Sequence, residues 1–337
     1  MDLRALPKIE LHRHLEGAVR LSTIIDLARE AGVVLPADTP EGLANFAQIH
    51  QPVTSLDEAL ERFAIAQDSF RSYGAVRRIA FEAVEDLAAD NVRLAELRFS
   101  PDFMCRPAGL DWDAAMDAVL EGLEDARAAG HEVLIGLIVI ASRNYGTESA
   151  ERTAAFALRR REHLVGFDLA GPELEFPPAM FAETLRPVRD AGIHLTTHYG
   201  ESGPPEYPRE AIEVLATERL GHGVSVAHDA AVADLAIERS VTLEMCPTSN
   251  WLTHAVPSVE EHPALDLLRR GARVSINTDD PGLFGIDLTH ELRVARDAIG
   301  FTDDDLGKVT RNALEASFLP ADVKDAVRAK HFGWLAA

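Results

Sequence analysis

Eight short apolar segments recur along this 337-residue chain, and stretches with apolar residues at helical spacing separate them. Runs rich in β-branched and aliphatic residues predict strands, whereas stretches such as DAAMDAVLEGLEDARAAG predict amphipathic helices. The predicted strands are KIELHRHLE from residue 8, VRLAELRFSP from 92, EVLIGLIVIAS from 132, LVGFDLAGPE from 164, IHLTTHYGE from 193, RLGHG from 219, VTLEMCPTS from 241 and RVSINTDDP from 273. Eight strand–helix units indicate a (β/α)8 TIM barrel, an α/β fold in which residues 1–337 form one domain.

The connection between the first two predicted strands is longer than a single barrel crossover needs. Residues 17–91 include the segment LANFAQIHQP and the amphipathic segment ALERFAIAQDSF. Long connections with helices of their own often cover binding sites. We therefore expect extra helices after strand 1 to form a lid over the barrel mouth.

The charge balance limits the kinds of partner. Asp and Glu number 55 against 33 Lys and Arg, which gives a formal net charge of −22. Such a chain is repelled by the phosphate backbone of nucleic acids and by anionic membrane surfaces. The start MDLRALPKIE lacks the apolar core of a signal peptide, and no segment has the eighteen or so consecutive apolar residues of a membrane span. We expect a cytoplasmic protein with a small-molecule partner; its oligomeric state is not encoded in these patterns.

Cysteine usage narrows the chemistry of any metal site. Cys105 and Cys246 are too few for a disulfide framework, and they lack the CxxC spacing of a thiolate zinc site. A metal ion would therefore have to be held by histidine and carboxylate side chains.

Polar residues at the ends of several predicted strands offer such ligands. In HRHLE, His12, His14 and Glu16 alternate and so point to the same side of a strand. This segment alone is better explained as a hydrogen-bonded strand end than as a pair of metal ligands. Polar residues also end three later strands, at the barrel edge where TIM-barrel enzymes carry their chemistry. These are His198 with Glu201 three residues later on strand five, His222 on strand six, and Asp279 with Asp280 on strand eight.

Three imidazoles and one carboxylate form a ligand set that suits Zn²⁺ with one open position for water. The candidate ligands are His12, His14, His198 and Asp279. Zinc lowers the pKa of a bound water from roughly 15.7 toward about 7, which indicates hydrolytic chemistry. The fourth strand, GFDLAGPE, has no lysine that could be carbamylated to bridge a second metal. We therefore expect one zinc ion per chain.

Three of these strand-end residues also have purely structural interpretations. Glu201 precedes the helical segment PPEYPREAIEVL, where a carboxylate favours a helix amino terminus. His222 lies between two glycines, so its ring could simply hold a tight turn. Asp280 precedes Pro281, which restrains the backbone before it, and here a structural role and a functional role are compatible.

Six motifs in this order resemble those of the adenosine deaminase family of the amidohydrolase superfamily. They are PKIELHRHLEGA, DLAGPE, THYGE, RLGHGV, CPTSN and SINTDDPG, and NALEASFLP resembles the family's closing segment. The resemblance runs from Pro7 to about Leu319. It implies a zinc-dependent hydrolase that converts an adenine-containing nucleoside to the 6-oxo nucleoside and ammonia.

The resemblance also implies roles for individual residues. Glu201 protonates the purine N1, His222 orients the attacking hydroxide, and Asp280 contacts N7. The backbone N–H of Gly171 meets N3, and His14 faces the substrate as well as the metal. The first role is chemically reasonable in its own right, because attack on C6 pushes charge onto N1 and an acid there is worth roughly a hundred- to ten-thousand-fold in rate.

The ribose side and the lid carry the remaining implied contacts. Leu43 and Phe46 in LANF match the family's apolar lid over the pocket, and Glu16 stands where many members carry Asp facing the ribose 5′-hydroxyl. Two further departures from the family pattern affect the pocket. Tyr199 replaces the small residue of HAGE, and Pro172 in DLAGPE removes a backbone donor.

Adenosine or 2′-deoxyadenosine is the substrate that these motifs favour. The alternatives within the family are adenine and a 5′-modified adenosine such as aminodeoxyfutalosine. Outside enzymology, the alternative is a catalytically silent purine-binding protein, which the intact set of acid, base and metal ligands argues against.

Overall fold

Over residues 1–53 and 56–336, which the computed structural model describes, eight parallel strands pair in sequence order. A bridge between Arg13 and Asp279 joins the last strand to the first. The strands are β1 Lys8–His14, β2 Val92–Phe99, β3 Leu134–Ser142, β4 Gly166–Ala170, β5 His194–Tyr199, β6 Arg219–His222, β7 Thr242–Met245 and β8 Arg273–Ile276. The predicted (β/α)8 barrel is confirmed.

Helices surround this barrel and also fill several of the loops at its carboxyl-terminal end. They are α1 Leu21–Ala31, α2 Pro40–Ala47, α3 Leu56–Gln67, α4 Tyr73–Ala89, α5 Pro101–Cys105, α6 Trp112–Ala128, α7 Gly146–Arg159, α8 Ala182–Asp190, α9 Glu206–Glu210, α10 Ala230–Glu238, α11 Pro247–Leu252, α12 Ala264–Arg270, α13 Pro281–Phe284, α14 Leu288–Val294, α15 Asp303–Ala316 and α16 Ala321–His331. Within the described residues, none of these helices is long and apolar enough to cross a membrane.

Strand β2 shows how the barrel sorts its side chains. Successive residues of a strand point to opposite faces. Leu97 and Phe99 are fully buried in the main apolar cluster, which they share with residues of α4 and α6. Glu96 and Arg98 are equally buried but form ion pairs with side chains of β4, β6 and β7. The interior of the barrel is therefore ionic, and its outer face is apolar.

The insertion after β1 lies across the carboxyl-terminal mouth of the barrel, as predicted. The backbone N–H of Ile49 donates to Leu283 O in α13 at 2.8 Å, and that of Val53 donates to Leu252 O in α11 at 3.0 Å. From α3, Gln67 Nε2 donates to the carbonyl of Phe103 in α5 at 2.8 Å. The extra helices thus connect the loops that follow β2, β7 and β8.

The seam between β8 and β1 is closed partly by side chains. Near the mouth, Asp279 N–H donates to His12 O and His14 N–H donates to Asp279 O, both at 2.9 Å. Below this point, Leu11 N–H donates to Asn277 Oδ1 at 3.0 Å. The Asn277 amide also donates to Met245 O at 3.3 Å. Asn277 therefore replaces part of the missing strand ladder two residues before Asp279.

Replacing Asn277 with Ala should lower the free energy of unfolding by about 1–3 kcal/mol, because the buried N–H of Leu11 loses its acceptor. Urea denaturation of the purified protein measures this change. Asn45 in α2 makes long bonds at an exposed position, so Asn45→Ala should stay within about 0.5 kcal/mol of the wild type. Equal effects of the two substitutions would contradict the role of Asn277 in the seam.

Candidate metal centre and active site

Four side chains from three strand ends converge at the mouth of the barrel. His12 Nε2 and His14 Nε2 each lie 3.2 Å from Asp279 Oδ1, and His14 Nε2 lies 3.2 Å from His198 Nε2. One ligand atom from each of these four residues lies within 4.8 Å of the other three. The structure therefore brings the four predicted metal ligands together.

The hydrogen bonds of the histidines fit a metal site. His12 Nδ1 lies 2.8 Å from Glu244 Oε2, so it carries the proton, whereas the buried Nε2 makes no hydrogen bond. His198 Nδ1 is likewise 3.1 Å from Asp168 Oδ1. A carboxylate on Nδ1 fixes the tautomer that leaves the Nε2 lone pair for a metal. Three imidazole nitrogens and one carboxylate oxygen suit Zn²⁺.

A buried guanidinium holds both of these carboxylates. Arg98 Nη1 donates to Asp168 Oδ2, and Arg98 Nη2 donates to Glu244 Oε2, each at 2.8 Å. Burial opposes ionisation of Asp168, but the interaction with His198 and the positive charge of Arg98 outweigh it and lower the pKa of this carboxyl. Asp168 therefore stays ionised and accepts the His198 proton.

The short helix α11 contacts three different residues of the site. Ser249 Oγ donates to Asp279 Oδ2 at 2.7 Å, and at the end of the helix Thr253 Oγ1 donates to Glu201 Oε1 at 2.9 Å. Between them, the Asn250 side-chain amide lies 2.9 Å from His222 Nδ1. This helix follows β7, so one element orients side chains that come from β5, β6 and β8.

The proton on His222 can be assigned from its neighbours. Asn250 Oδ1 accepts from Cys246 N–H at 3.2 Å and lies 3.1 Å from His262 Nε2, which places the Asn250 amide nitrogen against His222 Nδ1. Nδ1 of His222 is then an acceptor, and Nε2 carries the proton. Nε2 lies 3.6 Å from Glu201 Oε2 and 3.9 Å from Asp279 Oδ2.

Glu201 lies in the loop after β5, with 24% of its side chain exposed. Burial raises the pKa of this carboxyl, His222 counteracts the rise, and the negative charge of Asp279 adds to it. Glu201 therefore retains a proton at higher pH than an ordinary glutamate does. The structure thus places an acidic group beside the imidazole of His222 and next to the candidate metal ligands.

The chain as a whole matches proteins of known family. The family model described as adenosine deaminase matches residues 7–331. An adenosine deaminase of Shewanella loihica is 39% identical over 325 residues, which cover 96% of this chain and 98% of that protein. The chain belongs to the adenosine deaminase family.

Solved structures of similar proteins share the fold of this family member. The adenine deaminase of Arthrobacter aurescens matches with a TM-score of 0.90 at 26% identity, over 99% of this chain and 100% of that chain. An amidohydrolase of Burkholderia ambifaria with bound zinc matches with a TM-score of 0.89 at 27% identity, over 99% of this chain and 92% of that chain. The family predicted from the sequence motifs is confirmed.

Glu16 lies where the sequence analysis did not place it. Strand β1 ends at His14, and the backbone of Leu15 turns into a short 3-10 helix over Glu16–Ala18. The expectation that Glu16 continues the strand face is therefore wrong. Its side chain is buried, with Oε1 accepting the N–H of Ser100 at 2.6 Å and Oε2 making no hydrogen bond. Burial raises the pKa of Glu16 to about 8.

Asp280 approaches the same turn closely. A Cβ atom at Gly17 would lie 1.7 Å from Asp280 Oδ1, so only glycine leaves room for this carboxylate. Oδ1 is buried and makes no hydrogen bond. Burial and the neighbouring charges of Asp279 and Glu16 raise the pKa of Asp280 well above its usual range. Gly17 and Asp280, in two of the motifs shared with the adenosine deaminase family, thus form one contact.

The other predicted substrate contacts are Gly171, Leu43 and Phe46. Gly171 follows β4 with φ +105°, and its carbonyl accepts from Arg143 Nη1 at 2.9 Å. In α2, Leu43 is fully buried in the main apolar cluster, whereas Phe46 is 48% exposed.

Tyr199 follows His198 on β5 and so points to the opposite face. Its ring is buried and its hydroxyl donates to Phe176 O at 2.9 Å, so it lies behind the ligand face.

Several residues that the motif analysis did not single out support the site. For Asp168 and Glu244, the sequence offered a signal: each is a charged residue within an otherwise apolar strand, and a buried charge needs a partner. The supporting residues are Asp168, Glu173, Glu244, Ser249, Asn250, Thr253 and His262. Burial lowers the pKa of His262 to about 3, so this imidazole is neutral.

Proposed function

We propose that this chain deaminates adenosine and 2′-deoxyadenosine hydrolytically, giving inosine or 2′-deoxyinosine and ammonia. The observation that carries the proposal is the position of Glu201 Oε2, which lies 3.6 Å from His222 Nε2 beside the ligand cluster. An amide or ester hydrolase would not need this acid at the site. The greater identity to the adenosine deaminase than to the adenine deaminase supports a nucleoside substrate.

The residues of this chain would divide the chemistry between them. His12, His14, His198 and Asp279 would hold Zn²⁺, which supplies a nucleophilic hydroxide at neutral pH by lowering the pKa of water toward about 7. His222 would orient the nucleophile toward C6 through Nε2–H. Glu201 would donate a proton to N1 as hydroxide adds to C6 and this centre becomes tetrahedral. The C6–N bond would then break as the proton of the added hydroxyl passes to the amino group, which releases ammonia and leaves the 6-oxo purine.

The remaining contacts would orient the purine. Asp280 has a buried, unpartnered carboxyl oxygen and a raised pKa, so it can donate a hydrogen bond to N7. The backbone N–H of Gly171 would meet N3. Leu43 and Phe46, in α2, would cover the pocket. A bound base would therefore meet hydrogen-bonding groups at N1, N3 and N7.

The arrangement supports one zinc per chain. A second group of possible ligands, formed by His222, Cys246 and Asp279, shares Asp279 with the first. Burial and surrounding carboxylates raise the pKa of the Cys246 thiol well above its usual range, which disfavours the thiolate form. His222 is already held by Asn250.

Asp279→Asn should remove zinc and activity together, because the amide lacks the ligand charge yet keeps the side-chain shape. Asn also tolerates the positive φ of this position. Metal analysis of the wild type should give one zinc per chain, and of the variant almost none. Asp234→Asn, at an exposed ion pair with Arg270, should retain both. Two zinc ions per wild-type chain, or an active metal-free variant, would refute the proposed site.

Glu201→Gln should keep the fold and the zinc but lose at least roughly a hundredfold in kcat, because the amide cannot give a proton to N1. Steady-state ammonia release from adenosine measures the loss. Glu206→Gln, at an exposed position nearby, should leave kcat unchanged. Near-normal turnover of Glu201→Gln would show that another group supplies the proton.

Glu16 should set the preference for the sugar. Its unpartnered Oε2 is buried, and a site built to bind a hydroxyl discriminates against an analogue that lacks it. We expect kcat/KM to fall from adenosine to 5′-deoxyadenosine to adenine. Glu16→Ala should reduce the difference in kcat/KM between adenosine and 5′-deoxyadenosine. Glu16→Gln keeps an acceptor for Ser100 N–H and should reduce this difference less than Glu16→Ala does.

The alternatives predict other outcomes of the same assays. If Glu16 only holds the turn, Glu16→Ala will lower stability and leave the substrate order unchanged. A clear preference for aminodeoxyfutalosine or for adenine would refute the adenosine assignment while leaving the zinc deaminase chemistry in place.

A further inference from the structure

The strands that flank the proposed acid separate at the mouth of the barrel. Strands β4 and β5 pair only through Gly166 with His194 and Phe167 with Leu195, at their amino-terminal ends. Neighbouring β3 and β4 remain paired up to Ala170. Strand β5 stays paired with β6 up to Tyr199 and His222, but on the β4 side no ladder reaches the loop after β5. Other interactions must therefore fix the path of this loop on its β4 side.

The carboxylate of Glu173 supplies those interactions. Its Oε1 accepts the backbone N–H groups of Glu201 at 2.8 Å and Ser202 at 3.0 Å. Its Oε2 accepts those of Gly200 at 2.8 Å and Gly203 at 3.1 Å. Glu173 is buried, with 2% exposure. Hydrogen bonds to an ionised acceptor are roughly twice as strong as neutral ones, so one side chain holds four consecutive residues of the loop.

We propose that Glu173 is a positioning residue that fixes the acid Glu201 against the purine N1; this inference rests on the proposed function. Glu201 lies inside the bonded segment, so its backbone cannot shift without breaking bonds to Glu173. General acid catalysis requires hydrogen-bond distance to the proton acceptor. A displacement of about 1 Å in a reacting group can cost roughly a hundredfold in rate.

The same segment carries the proposed contact to N3. Gly171 lies two residues before Glu173, and Arg143 Nη1 donates to Gly171 O at 2.9 Å. Arg143 Nη2 also donates to Leu169 O on β4 and to His198 O on β5. Across the gap between the two strands, Arg143 thus donates hydrogen bonds to backbone carbonyls, and Glu173 accepts hydrogen bonds from backbone N–H groups. The contacts to N1 and N3 are consequently set by one connected unit.

The test is a double-variant cycle with Glu173→Gln and Glu201→Gln. The side chain introduced by Glu173→Gln would keep one acceptor oxygen but present an NH₂ group to two donors. We expect this substitution alone to lower kcat for adenosine roughly ten- to a hundredfold, to change KM less than about threefold, and to retain zinc. Added to Glu201→Gln, it should lower kcat by less than about threefold further, because residues that act through one group are not additive.

Two further variants separate positioning from general stability. A Cβ atom at Gly203 would lie 2.4 Å from Glu173 Oε2 and 2.8 Å from Tyr207 Cδ2. Gly203→Ala should therefore displace the carboxylate as well as the Tyr207 ring and reproduce the kcat loss, even if Glu173→Gln does not fold. Asp90, a buried carboxylate that accepts the N–H of Thr289 at 3.0 Å, lies at the opposite end of the barrel. Asp90→Asn should lower the melting temperature without lowering kcat, in either background.

The possible failures are distinguishable. Normal kcat in Glu173→Gln and in Gly203→Ala, or losses that multiply in the double variants, would overturn the positioning role and leave the deaminase assignment intact. Near-normal turnover of Glu201→Gln itself would overturn the acid role and this inference together.

Discussion

The arrangement of the site depends on one buried ionic contact, that of the Arg98 guanidinium with two carboxylates. Arg98 has no solvent exposure, and it bonds both Asp168 and Glu244 at 2.8 Å. Each carboxylate in turn bonds Nδ1 of a histidine, His198 or His12. That bond fixes the tautomer of each imidazole. The two carboxylates held by Arg98 therefore determine that Nε2 of both histidines keeps its lone pair for a metal.

The same network explains how so many charges are tolerated in the barrel interior. Burying an ion costs several kcal/mol unless it is paired and hydrogen-bonded. Glu244 meets both Arg98 and Arg219, and Arg219 also contacts Glu96 at 2.6 Å. Glu96 accepts the N–H of Phe318, after α15, at 2.6 Å. Polar contacts thus continue from the candidate ligands to the amino-terminal end of the barrel, where α15 ends and α16 begins.

The fold and the convergence of the four candidate ligands could be predicted from the sequence because both depend on short-range patterns. Strand and helix periodicity identify the eight units, and parallel strands bring their carboxyl ends to one edge. Residues at those ends, such as His198 and Asp279, must then converge. The extra helices were predicted from the length of residues 17–91 and from the amphipathic segment within it, and their contacts confirm the prediction.

What the sequence did not predict depends on tertiary contacts and on turns. Glu16 leaves the strand face because the chain turns at Leu15, which no periodicity indicated. The bonds of Glu173 to the loop after β5 join segments 27 to 30 residues apart. Motif spacing does not specify such pairings. Tyr199 was expected to alter the pocket, but its ring lies on the opposite face of the strand from His198. Alternation applies to Tyr199 because β5 continues to this residue, which the structure shows.

Backbone conformation links closure of the barrel to assembly of the site. His222 and Asp279 have φ angles of +64° and +63°. Non-glycine residues in the left-handed region cost roughly 1–3 kcal/mol and persist only where their surroundings hold them. Asp279 is held by backbone bonds to His12 and His14, the two candidate ligands supplied by β1. The chain therefore cannot close the seam between β8 and β1 without bringing the carboxylate of Asp279 to both imidazoles, and the strained turn is stabilised by the same bonds that complete the barrel.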